Sequence, residues 1–129
     1  MKMKDVAKAH RVCGFREHAK LFGLRESVII HHFGFWINKN RNDGRHYHDG
    51  RYWSYGSVRK LQENYFPFFT QSQLRSGINS LLKNKILIKS NFNKHGYDKT
   101  AWYTFFDEDY LLELVYPFDK NLRWDDAFA

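Results

Sequence analysis

Thr70-Gln-Ser-Gln-Leu-Arg-Ser-Gly-Ile-Asn-Ser-Leu-Leu-Lys-Asn-Lys85 is the stretch on which the fold reading turns. Leu74, Ile78, Leu81 and Leu82 recur at i, i+4, i+7 and i+8, the spacing of one face of an α-helix. Thr70 stands where an N-cap belongs, so the pattern predicts a helix over Gln71–Lys85. The opposite face carries Gln71, Ser72, Arg75, Ser76, Asn79 and Lys83, which are hydrogen-bonding or basic groups with no acid among them.

Upstream, Ser57 is the cap of a shorter helix, Val58–Tyr65, with Val58, Leu61 and Tyr65 on one side. Pro67 ends it, because the proline ring disfavours an α conformation at Phe66. Phe66-Pro-Phe-Phe69 is then a tight apolar connector into the second helix. Downstream, Ile86–Ser90 and Ala101–Phe106 read as the strands of a hairpin, and Asn91–Thr100 as its long basic tip.

Farther out, Leu24–Lys39 carries apolar residues at 24, 28, 29, 33, 35, 36 and 37, a wide stripe that predicts a core helix. Gly34 inside it either weakens the helix by about 1 kcal/mol relative to Ala or admits another element closely. Asn42-Asp-Gly44 and His48-Asp-Gly50 are turn signals, and Arg51–Tyr55 alternates as a short strand. Asp107–Val115 reads as a last helix with Leu111, Leu112 and Val115 inward and acids at its N-terminus. Residues 1–20 form a basic arm in which Val6, Ala9, Val12 and Phe15 mark an amphipathic turn or a docking segment. Residues 118–129 form an acidic tail in which Phe118, Trp124 and Phe128 suggest packing on a second subunit or on the domain's own basic face.

The chain has 129 residues, enough for one compact domain and too few for two independent cores. With aromatics at 19 %, it is not a low-complexity disordered segment. The apolar run Val28-Ile-Ile30 is cut by His31-His32, so no membrane span is expected. One cysteine, Cys13, excludes an internal disulfide, and no apolar signal core follows the basic N-terminus. A cytoplasmic protein is expected. The net charge of +7 is uneven: residues 71–105 carry six basic groups and one acid, and residues 106–129 two basic groups and seven acids. A basic body of this kind invites a polyanion partner.

Two short helices with a tight connection, the second with a basic polar face, are the minimum of a helix-turn-helix, and the basic hairpin is the added element of a winged helix. A helix about 10–12 Å across fits a major groove about 12 Å wide. The expected double-stranded DNA contacts are Thr70, Gln71, Ser72, Gln73, Arg75, Ser76, Asn79 and Lys83 on the helix, and Lys89, Asn93, Lys94 and Lys99 on the hairpin. Asn91, His95 and Tyr97 can join them at the tip. Phosphate contacts by Arg75 and Lys94 are a firmer expectation than base reading by Arg75 and Gln73.

Five blocks carry a resemblance. Leu24-Arg-Glu-Ser-Val-Ile-Ile-His-His-Phe-Gly-Phe-Trp-Ile37, Asp49-Gly-Arg-Tyr-Trp-Ser-Tyr55, Phe66-Pro-Phe-Phe-Thr-Gln-Ser-Gln-Leu-Arg75, Asn91-Phe-Asn-Lys94 and Asp98-Lys-Thr-Ala-Trp-Tyr103 lie within residues 21–106. In order and spacing they resemble the N-terminal winged-helix domain of phage and plasmid replication-initiation proteins, relatives of replisome organisers and DnaD-like primosomal proteins. The resemblance implies DNA binding, self-association and replication proteins as partners. Many such proteins add a C-terminal domain that contacts the helicase machinery, and none is expected here before Ala129.

His31-His32 and His46-x-His48, with Asp43 and Asp49 nearby, admit a metal site or a histidine-dependent nuclease. No fixed acid–base pair completes the set, so His46 and His48 are expected in loops and His31 and His32 on a helix surface or against aromatics. Cys13 is expected as a packed residue, and Gly44 and Gly50 lack the Gly-Lys-Ser/Thr pattern of a phosphate loop. The fold expected is α+β and mainly helical: a winged helix-turn-helix over residues 21–106, a basic arm over 1–20, and a C-terminal extra helix and acidic tail over 107–129. The function expected is DNA binding by a homodimer, with no enzymatic activity and no cofactor. The alternative is a winged-helix protein-interaction module that does not bind DNA.

Overall fold

The computed structural model describes residues 15–115, so the expectations for residues 1–14 and for the tail lie outside the described residues. Its elements are α1 (Phe15–Phe22), α2 (Leu24–Asp43), β1 (Tyr47–His48), β2 (Arg51–Tyr52), β3 (Ser54–Tyr55), α3 (Val58–Tyr65), α4 (Gln71–Lys83), β4 (Leu87–Ser90), β5 (Trp102–Phe105) and α5 (Glu108–Val115). The chain is α+β and mainly helical, with small antiparallel sheets.

Helix α2 is the axis of the core. Ile29, Ile30, Phe33 and Ile37 are fully buried on it, whereas Leu24 and Phe35 are exposed. It runs four residues past Lys39, because Gly44 ends it in the left-handed region at φ 67 and ψ 33. The Gly44 amide then donates to Arg41 O and the Arg45 amide to Asn40 O, the paired bonds of a Schellman motif. The Asn42-Asp-Gly44 turn signal therefore marks the end of this helix and its cap. Helix α1 lies against α2 and begins inside the segment read as a basic arm.

Asp49 and Gly50 form the two-residue turn of the β1–β2 hairpin, both at positive φ as a type I′ turn needs. The single strand expected over Arg51–Tyr55 is instead two, in different sheets. Trp53 divides them: its amide donates to His46 O, its carbonyl accepts from Asn40 Nδ2 at 2.8 Å, and its indole donates to His48 O. Beyond it, β3 joins a three-stranded sheet of order β3-β5-β4, with Ser54 opposite Tyr103 and Leu87 opposite Phe105. Central β5 is buried along its whole length: Tyr103 and Phe105 join the core cluster on one face, and on the other the Thr104 hydroxyl donates to Tyr52 O.

Helix α4 packs on α2 through Leu74, Gly77, Ile78 and Leu81. The fit is closest at Gly77, where a Cβ would stand 2.5 Å from Ile29 Cδ1 and 3.1 Å from Arg25 Nε. Helix α5 closes the core with Leu111, Leu112, Leu114 and Val115, and docks on the end of α2 through the Arg41–Asp109 ion pair at 2.6 Å. Gly77→Val should cost about 1–3 kcal/mol through overpacking, outweighing the better helix propensity of valine. Urea unfolding followed by circular dichroism measures it, and an unchanged midpoint would show that α2 and α4 part without penalty.

Candidate nucleic-acid interface

The first turn of α4 is held by its own sequence. Thr70 Oγ1 accepts from the Gln73 amide at 3.0 Å, and Gln73 Oε1 accepts from the Thr70 amide at 2.9 Å, a complete capping box. Both side chains are therefore engaged in the cap, which makes Gln73 a poor base reader. The Gln71 and Ser72 amides, as first-turn donors, have no intrahelical acceptor, and no acid stands in that turn. Gln71, Ser72, Arg75, Ser76, Asn79 and Lys83 are all exposed, so the outer side of α4 meets solvent and not the protein's interior.

Arg75 has no carboxylate partner among the described residues, whereas Arg25, Arg41 and Arg59 pair with Glu26, Asp109 and Glu63. It lies within electrostatic reach of Tyr103, whose pKa is raised by burial against the opposing pull of this cation. Tyr103 is also the register partner of Lys89 on β4. Tyr103 is thus paired in register with Lys89 and within electrostatic reach of Arg75.

The loop between β4 and β5 is tied down by Asn93. Its Nδ2 donates to Asp98 O at 3.0 Å and Thr100 O at 2.8 Å, and its Oδ1 accepts from the Trp102 indole at 2.8 Å. Asn93 is a brace of the loop and has little left to offer a ligand. Asn91 Oδ1 accepts from the Asn93 amide, and Asp98 Oδ1 from the Thr100 amide. The Thr100 bonds hold the Asp98 carboxyl below its usual range, helped by His95 and Lys60. Lys94 and Lys99 remain exposed on this braced loop, and Tyr97 stands at its tip, 81 % exposed and stacked on His95.

The histidines are placed among rings. His48 stacks on Phe92 at 4.4 Å, and His46 meets Tyr55 and Trp102 edge-on. His46 sits in the left-handed region outside β1, so the two imidazoles are not the same-face strand pair that a metal would favour. His32 packs against Phe33, Tyr65 and Phe66. Among the described residues, no group of three His, Cys, Asp or Glu side chains is close enough to hold a metal ion, and no helix is long and apolar enough to cross a membrane.

Sequence reading missed the bracing roles of Gln73 and Asn93. The capping-box spacing Thr-x-x-Gln was the available signal for the first; nothing local signals a bond from Asn93 to Trp102. No protein-family model, curated protein or solved structure matches the chain.

Burial lowers the His32 pKa to about 4. The unfolded chain takes up this proton near pH 6.5 and the folded chain only near 4, so stability falls as pH drops between those values, by at most about 3 kcal/mol. His31, lowered by burial and by His18, pulls the same way. His32→Phe keeps a ring in the aromatic cluster and should give a shallower loss of urea stability from pH 7 to pH 4 than the parent. Equal slopes would mean that His32 does not carry it.

Proposed function

We propose that this chain is a winged-helix protein that binds double-stranded DNA, as a homodimer, in replication initiation or its regulation, and acts by binding and not by catalysis. The observation that carries the reading is the outer side of α4: exposed from Gln71 to Lys83, free of acid, and holding an arginine without a carboxylate partner among the described residues. The order α2, β3, α3, α4, β4, β5 with the sheet β3-β5-β4 is compatible with a helix-plus-wing layout. The acid-free first turn with open amides suits a phosphate, because the helix dipole and free N–H groups both favour an anion there. The replication role and the phage or plasmid setting rest on the five sequence blocks alone.

Arg75, Lys83, Lys89, Lys94 and Lys99 are the phosphate-contacting set in this reading. Ser72, Ser76 and Asn79 are the groups free to reach base edges, and Gln71 can do either. Asn93, Thr70 and Gln73 support these residues by fixing the wing and the helix start. The alternative, an interaction module, draws on Leu24 and Phe35, exposed at 65 % and 49 % on one side of α2.

Fluorescence anisotropy with a random duplex over a range of salt tests the reading. Log affinity should fall linearly with log salt, by about 0.9 for each phosphate neutralised, and Arg75→Ala and Lys94→Ala should each lower the slope by about one contact. Absence of salt-dependent binding, with Leu24→Ser or Phe35→Ser altering the sedimentation coefficient, would replace it with the interaction module.

A further inference from the structure

A cleft of about 280 Å³ opens between the C-terminal half of α2, the β1-to-β3 region and α3. Its walls include Trp36, Tyr55, Tyr65 and the imidazoles of His32 and His46. No residue of α4 or of the β4–β5 hairpin lines it, so it is separate from the proposed DNA-binding surface.

Its charge is one-sided. Lys39 and Arg45 line it, and among the described residues no carboxylate does. Arg45 resembles Arg75 in having no carboxylate partner among the described residues. The Lys39–Asp43 pair at 3.4 Å is a surface i,i+4 contact that an incoming anion can outcompete. Arg45 is fixed at its backbone by the Schellman bond to Asn40 O, so its side chain starts from a rigid point at the cleft's edge. The rings supply flat faces. The volume lies just below the range of drug-sized sites, about 300–1,000 Å³, so the ligand must be small.

We propose that this cleft binds a nucleoside monophosphate, with the base against the aromatic walls and the phosphate on Arg45 and Lys39. The site does not depend on the DNA-binding reading. The ligand chemistry can come from a free nucleotide or from the 5′-phosphorylated end of a strand.

Calorimetric titration of the full chain with AMP, with amide NMR shifts recorded in parallel, tests the proposal. AMP should saturate at one per chain and shift the signals of Lys39, Arg45, His46 and Tyr55. Adenosine alone and inorganic phosphate alone should each bind more weakly. Arg45→Ala, an exposed change that leaves the core intact, should weaken AMP about tenfold, the loss expected for one charge-assisted hydrogen bond. Arg75→Ala should leave AMP binding unchanged, which separates this site from the DNA surface. A 5′-phosphorylated single strand that displaces AMP identifies a strand end as the source, and one that does not identifies the free nucleotide. No saturation at millimolar AMP, shifts confined to other residues, or full affinity in Arg45→Ala would overturn it.

Discussion

The Ile29 side chain fills the space that a Cβ at position 77 would occupy, and much of the molecule follows from that contact. It brings α4 close onto α2, with Leu74, Ile78 and Leu81 sealed beneath. A helix gripped along one side has the other side assigned by geometry alone. Gln71, Ser72, Arg75, Ser76, Asn79 and Lys83 are turned to solvent because Leu74, Gly77, Ile78 and Leu81 are not. The cost of a glycine inside a helix, about 1 kcal/mol, is offset by the packing it permits.

Charge follows the same partition. The acids Asp107, Glu108, Asp109 and Glu113 gather in and before α5, where Asp109 meets Arg41 and Glu108 accepts the Tyr52 amide at 2.9 Å. Burial holds the Glu108 carboxyl above its usual range, against the opposing effect of that bond. With those acids on α5, the helix-and-hairpin stretch of residues 71–105 keeps six basic groups against the single acid Asp98. The Asn93 brace then gives Lys94 and Lys99 a loop of defined shape from which to project.

Local patterns carried much of this. The period of Leu74, Ile78 and Leu81 gave α4, Ser57 and Thr70 marked two helix starts, and the apolar runs around Asn91–Thr100 gave the hairpin. What escaped was set by contacts distant in sequence or by rules that compete locally. The close approach at Gly77 carried no local signal, because only the tertiary fit reveals which partner lies opposite. The strand Arg51–Tyr55 divided because Trp53 bonds back to His46, His48 and Asn40, none of which a period-two pattern registers. Helix α2 ran on to Asp43 because the Gly44 cap outweighed the turn composition of Asn40–Gly44. Of the interface residues, exposure was legible and commitment was not: Gln73 and Asn93 look like ligand groups in sequence and are engaged in internal bonds.

In the proposed function the solvent side of α4 faces duplex DNA with the β4–β5 loop alongside. Residue-resolved amide NMR of the chain with and without a random duplex tests it most directly. The account predicts shifts at Gln71, Ser72, Arg75, Ser76, Asn79 and Lys94 that vanish as salt is raised. Silence along α4 while residues around Leu24 and Phe35 respond would contradict it.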